Sequence, residues 1–227
     1  MPLPQFAPRR ETEPVVDLTA VTVMHRAQRT DTRRLVDAVS ALAGGQACDA
    51  RRVVALQEYL SGIGHCLQNS RRITRDVLVP LLLELGADDG GLSGRQRHDD
   101  ALVTLLSHTQ ALLSELHSEP RGHRSPGTVR QTMDALAAVV EAAVADDQRI
   151  LVPLVRRHLT PESLHWVQAQ CHRSLRPQLL PFIVPWLVSH ATESERQAIC
   201  SQAPLPVGAI LKTFGSSFLD TRRAAFG

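Results

Sequence analysis

The sequence predicts an all-α protein, an antiparallel four-helix bundle with a C-terminal cap of short helices. Three observations carry this expectation. Aromatic residues make up only 4% of a chain that is 43% hydrophobic, so the core must be built mainly from Leu, Val and Ala; scarce aromatics favour helices over strands. Apolar residues recur at spacings of three and four along four long stretches. Each stretch runs into glycines or prolines that stop helices.

The first stretch, 17–42, ends at Gly44-Gly45. The second, 49–85, stops near Gly86 and Gly90-Gly91, and Pro80 late within it predicts a kink or break. The third covers 93–117, followed by a mobile loop over 118–127 with two prolines and two glycines. The fourth covers 128–158 and carries Pro153 where the second carries Pro80. Val77-Leu78-Val79-Pro80-Leu81 and Ile150-Leu151-Val152-Pro153-Leu154 then mark an internal duplication, two equivalent helical hairpins packed together. After Thr160, prolines 161, 177, 181, 185, 204 and 206 cut the chain into short helices. The expected organisation is a disordered arm over 1–14, a bundle over 15–159 and a cap over 160–227. Leu179, Leu180, Phe182, Ile183, Trp186 and Leu187 are too apolar to stay wet, so they cover the bundle or form a homo-oligomer contact.

Composition narrows function. The formal net charge is +2, Lys212 is the only lysine, and arginines are interleaved with acids and apolar residues. Nucleic-acid binding has no support in such a pattern. No apolar run is long enough to cross a bilayer, and the first residues lack a signal-peptide stretch. Cys48, Cys66, Cys171 and Cys200 are scattered without a CxxC pair, which points to a reducing cytoplasm. His65, His98, His117 and His123 read as structural or solvated, and Tyr59 as a packed flank of its helix.

The informative feature is a polar layer. On the first helix the apolar stripe reads Leu18, Val21, His25, Gln28, Thr32, Leu35, Val39. On the second it reads Leu56, Leu60, Ile63, Leu67, Ser70, Thr74, Val77, Leu81. On the third it reads Ala101, Leu105, His108, Leu112, and on the fourth Met133, Leu136, Val140, Ala143, Asp147, Ile150. Each helix thus sets a polar group on its inward face. Thr74 and Asp147 each precede their proline by six residues, and Ser70 and Ala143 by ten, so the layers coincide. Buried polar groups need one another, water, a metal or a ligand.

This arrangement resembles the hemerythrin-like proteins, or HHE cation-binding domains, in the segments Val23-Met24-His25-Arg26-Ala27, Asp76 to Pro80, Ile150 to Leu159, and Leu179 to Leu187. The family holds two irons with a histidine on the first and third helices and H-x-x-x-E motifs on the second and fourth. His25 and His108 match the two single histidines. The motif positions instead carry Ser70 and Thr74, and Ala143 and Asp147, so a standard di-iron centre is not expected. The resemblance implies a cavity where the metals were. His25, His108 and Asp147 are then candidate acid/base residues, with Gln28, Thr32, Ser70, Thr74 and Ala143 around a small organic ligand. No cofactor is favoured, and whether the chain is an enzyme is left open. A metal-independent proton transfer, dehydration or cyclisation would suit the actinobacterial specialised metabolism that the resemblance and the arginine bias suggest. Two alternatives stand. One is an iron protein using His25, His108 and Asp147 on oxygen, peroxide or nitric oxide. The other is a non-enzymatic regulatory or interaction bundle.

Overall fold

A computed structural model describes residues 4–45, 50–89, 92, 96–118, 126–203 and 206–227. Cys48, His123, Gly90-Gly91 and most of the 118–127 loop lie outside these residues, as do the side chains of His98 and His117. The described chain is helical, with no strand among the described residues. In order come α1 (Thr19–Ala43), α2 (Ala50–Ile73), a π-helical turn (Thr74–Leu78), α3 (Val79–Glu84), α4 (Gln96–Ser118) and α5 (Pro126–Asp146). A second π turn (Asp147–Leu151) leads into α6 (Val152–His158), then α7 (Pro161–Ser174), a 3-10 turn (Pro177–Leu179), α8 (Leu180–Ser189), α9 (Glu193–Gln202) and α10 (Val207–Phe226). α1 lies along α5, α5 along α4 and α4 along α2, and α2 touches α1 to close the circuit. No helix among the described residues is long and apolar enough to cross a membrane.

Where a kink or break is expected at Pro80 a π turn precedes the proline, and Pro153 has its counterpart. Proline lacks an N–H and its ring crowds the carbonyl four residues back. An extra residue in the preceding turn relieves both conflicts. The Val79 N–H reaches the Thr74 carbonyl and the Val152 N–H reaches that of Asp147, each spanning five residues. Thr74 and Asp147 thereby become the first residues of matching π turns.

Two apolar clusters stabilise the body. One gathers Leu35, Leu56, Leu60, Leu67, Leu102, Leu113, Met133 and Val144 with Trp186 and Phe218. The other gathers Leu18, Ile73, Leu81, Leu82, Leu151, Val155 and Leu159. Between them, at one level on three helices, stand His25, Arg71 and Asp147, all buried. α4 departs from its predicted face. Leu102, Leu106, Thr109, Leu112 and Leu113 are buried, so Leu112 of the predicted stripe is inside while His108 is exposed. The buried Thr109 hydroxyl donates to its own helix, at Leu105 O (2.8 Å), and asks nothing of the layer.

The C-terminal helices cover the body: α7 packs on α2, α8 and α9 on α1, and α10 on α2 and α8. Phe182 of α8 sits so close over Gly62 that a Cβ there would overlap its ring. Ile183 and Trp186 are buried within the chain, so the stretch offered as an oligomer contact is largely covered by its own fold. The arm also differs from expectation. From residue 4 onward it is irregular but held: the Phe6 ring meets Trp166 edge-on at 5.8 Å, and the Arg9 N–H donates to His158 O (3.0 Å). Apolar contact and backbone hydrogen bonding offset the ordering entropy that favoured a disordered arm.

Candidate functional site

Arg71 is the organising residue of the polar level. It stands in the last turn of α2, four residues after the core residue Leu67 and three before Thr74, so it shares the inward stripe. Its guanidinium grips Asp147 with both forks, Nη1 to Oδ1 at 3.3 Å and Nη2 to Oδ2 at 2.8 Å. His25 Nε2 approaches the same Oδ2 at 3.4 Å. A buried carboxylate without compensation would be strongly destabilising; the planar bidentate partner supplies it.

Above this level opens a cavity of about 310 Å³. Its walls come from α1, the α2 end with its π turn, the second π turn with α6, and helices α7 to α10. The room therefore lies between the body and the C-terminal helices, not at the centre of the four long helices. The wall is mostly apolar, including Leu18, Met24, Ile73, Ile183, Val188 and Ile199. His25, Asp147, Ser70 and Thr74 bring polar groups to it, and Asn69, Gln168 and His172 supply others from the α2–α7 seam. Cys66 and Cys171 also face the cavity; burial pushes both thiols up, the neighbouring Cys171 adding to the effect on Cys66, so neither is an activated nucleophile.

Of the predicted residues, the structure brings together His25, Asp147, Ser70 and Thr74. Gln28 and Thr32 are buried one and two turns further along α1, and Ala143 is buried on α5, but none of the three is on the cavity wall. Gln28 Oε1 and Thr32 Oγ1 lack hydrogen-bond partners there. His108 is the clear correction: it points outward from α4 and joins neither the layer nor the cavity.

That correction bears on iron. With His108 outside, the three-donor set His25, His108 and Asp147 is broken. No three His, Cys, Asp or Glu side chains among the described residues gather closely enough to hold a metal ion. Both Asp147 oxygens face the Arg71 cation, which opposes a metal in that place. The residues present do not fit the iron site.

A second buried carboxylate escaped the sequence reading. Asp31 on α1 is wholly enclosed. Its Oδ2 accepts from Tyr59 Oη (2.6 Å), Trp186 Nε1 (2.8 Å) and His190 Nε2 (2.8 Å), and its Oδ1 accepts from Arg34 Nη1 (3.0 Å). An ionised carboxylate only accepts, so His190 carries its proton on Nε2. Burial would raise the Asp31 pKa, but hydrogen bonds from His190 and Tyr59, the His190 charge and the Trp186 bond together hold it below the usual carboxylate range. Burial, with the Asp31 charge and hydrogen bond, pushes the Tyr59 hydroxyl upward. This knot ties α1, α2 and α8, and none of its residues lines the cavity beside Asp147. His65 is structural: Nδ1 lies 2.7 Å from the Ser61 carbonyl of its own helix.

Comparison with models of known families, with curated proteins and with solved structures finds no match to this chain.

Proposed function

We propose that this chain is a hemerythrin-like four-helix bundle whose metal ligands have been replaced, and that it binds an uncharged, mainly apolar small molecule in the cavity beside His25 and Asp147. The circuit of α1, α5, α4 and α2, with one polar level between two apolar clusters, supports the bundle reading. A single observation carries the binding reading: a 310 Å³ space with an apolar wall and polar groups clustered at His25, Asp147, Ser70 and Thr74. That volume and lining suit a small-molecule site, since such sites span ~300–1,000 Å³ and fix orientation with a few polar groups. The Arg71–Asp147 pair is balanced in charge, so neither an anion nor a cation gains a net electrostatic partner.

Binding and orientation are favoured over proton abstraction because the Asp147 charge is already engaged by Arg71. Acid–base catalysis without a metal is the second reading, supported by His25 and Asp147 both reaching the cavity wall. In either case Arg71 is a positioning residue, holding the carboxylate flat against its partner.

A thermal-shift screen of neutral metabolites against the wild type and Ala203→Phe, which projects a ring into the cavity, tests the reading. A ligand at one hundred times its Kd should stabilise the wild type by ~2.7 kcal/mol and leave the filled variant unmoved. Equal stabilisation of both proteins would place binding elsewhere and sink the proposal.

A further inference from the structure

We infer that Ser70, Thr74 and Gln168 together receive a cis-amide edge on the cavity's occupant, which makes that occupant a lactam or primary carboxamide with a hydrocarbon body. The inference rests on the cavity being a ligand site. All three side chains line it. Each is half-buried, its polar atoms are open rather than enclosed by the protein, and no hydrogen bond from the described residues reaches them. Gln28 Oε1 and Thr32 Oγ1 differ: they too are unpartnered, but they are sealed in the core.

Idle hydroxyls are not the rule along these helices. A helical Ser or Thr can donate back to the carbonyl four residues earlier, as Thr104, Thr109 and Thr132 do here. Ser70 and Thr74 make no such bond, so each keeps a donor and its lone pairs for what enters. Four residues apart on one continuous helical run, they are neighbours on the same face. Gln168 comes from the opposite wall. α7 packs on α2 and on its π turn, and Asn69 joins the two helices by donating to Cys171 Sγ (3.6 Å) and accepting from Ser174 Oγ (2.7 Å). Gln168 precedes Cys171 by three residues, so it meets the cavity across that seam from Ser70.

The chemistry of the occupant follows from these groups. The Gln168 amide carries N–H and C=O on one edge, so it pairs with a partner that sets acceptor and donor side by side. A lactam does this because its ring holds the amide cis, a form that costs an open-chain secondary amide ~2.5–4 kcal/mol. A primary carboxamide has the same edge without that cost. The carbonyl oxygen of either has two lone pairs, one for the Gln168 N–H and one for a hydroxyl of Ser70 or Thr74. An amino-heteroarene sets a ring nitrogen in that place, whose single lone pair leaves the hydroxyls unmet. None of the three receiving side chains is charged, and Arg71 balances Asp147 on the same wall, so a neutral polar edge is matched best. The rest of the molecule must suit walls such as Leu18, Met24, Ile183, Leu187, Val188 and Ile199. The volume of about 310 Å³ is roughly twice the ~150 Å³ that takes one benzene ring, so a fused two-ring lactam enters.

The full chain would be titrated with 2-quinolinone, its N-methyl derivative and naphthalene, which present the whole edge, the carbonyl alone and neither. The wild type should bind 2-quinolinone about tenfold more tightly than the N-methyl compound, equivalent to ~1.4 kcal/mol, and naphthalene most weakly. Gln168→Met, close in size but without the amide, should equalise the two lactams. Ser70→Ala with Thr74→Val should weaken both lactams alike and keep the preference between them. Proton–nitrogen NMR on the wild type supplies a readout independent of any variant. A Gln168 side-chain amide proton should move downfield, the mark of a new hydrogen bond, with 2-quinolinone and not with naphthalene. Equal lactam affinities in the wild type, naphthalene bound as tightly as 2-quinolinone, a preference that survives Gln168→Met, lactam affinities untouched by the hydroxyl double variant, or no downfield amide proton would overturn the amide edge while leaving the cavity a binding site. Failure of all three compounds to bind would overturn the cavity reading itself, and this inference with it.

Discussion

Asp31 and Asp147 are both buried carboxylates on long helical runs, yet their surroundings differ in a way that separates fastening from function. Asp31 receives hydrogen bonds from Tyr59, Trp186, His190 and Arg34, and it lies off the wall of the cavity beside Asp147. Asp147 is gripped through both oxygens by Arg71 and lies on the cavity wall, with His25 at a looser 3.4 Å. A carboxylate whose lone pairs are saturated by the protein can only hold elements together. One that lies on a cavity wall can also meet something that enters.

The contrast breaks most visibly at Asp31. Asp31→Ala strands four donors, three of them in buried or half-buried surroundings, and undoes the junction of α1, α2 and α8. Removing one partner of a buried charged cluster costs ~3–5 kcal/mol, so denaturant unfolding should show a loss of that size. A loss below ~1 kcal/mol would show that the aromatic packing of Tyr59, Phe182 and Trp186 fastens α8 without the carboxylate. The same residue sets a pH dependence. The folded-state pKa of Asp31 is depressed, so in the window between it and the ordinary carboxylate value of ~3.9 the unfolded chain binds a proton that the folded chain does not. The stability Asp31 contributes is therefore fully present above that window and is lost as pH falls through the depressed value. Urea midpoints measured across acid pH should fall along this limb in the wild type, and the limb should flatten in Asp31→Asn.

How far these two centres could be read from the sequence differs for a physical reason. Helix ends were legible because glycine chemistry marks them: Gly45 and Gly86 adopt positive φ just beyond α1 and α3. The equivalence of Thr74 and Asp147 was legible because both count back from a proline. The π turns were not, since an added residue per turn leaves no mark in apolar spacing. Arg71 was not legible because the stripe runs equally well through its neighbour Ser70, although Leu67, Arg71 and Thr74 keep the inward spacing. Asp31 was hidden because its donors come from α2 and α8, far along the chain. On α4 two columns competed, one with Leu105, His108 and Leu112, the other with Leu102, Leu106, Thr109 and Leu113. The second buries throughout, whereas the first is buried at Leu112 and exposed at His108, a difference that apolar spacing alone does not carry.

At Asp147 the comparison is sharpened by a double substitution. Arg71→Met alone leaves a buried carboxylate uncompensated and should cost ~3 kcal/mol. Arg71→Met with Asp147→Leu removes both charges and replaces them with apolar groups of similar size, a change that is often neutral or stabilising. Chemical denaturation should therefore place the double variant within ~1 kcal/mol of wild type, while any ligand found by thermal shift loses its affinity. Stability recovered with binding lost marks a site. If the double variant stays as unstable as Arg71→Met, the pair is a fastener like Asp31 and the distinction between the two carboxylates collapses.

The smallest expected effect discriminates most cleanly between this account and a metal-dependent one. His108 lies on the outer face of α4, exposed, while the inward column passes through Thr109. An exposed side chain away from caps and buried networks changes stability by no more than ~0.5 kcal/mol when truncated, so His108→Ala should unfold with the wild type and retain its ligand. His25→Ala, by contrast, removes a ring from the cavity wall beside Asp147 and should weaken the same ligand. If His108 were a third donor to an iron, its loss would match that of His25, and the iron content of the purified protein would fall equally in both variants. Parallel iron measurements and ligand titrations on the two alanine variants therefore decide whether α4 takes part in the site at all, and the outward turn of its histidine requires that it does not.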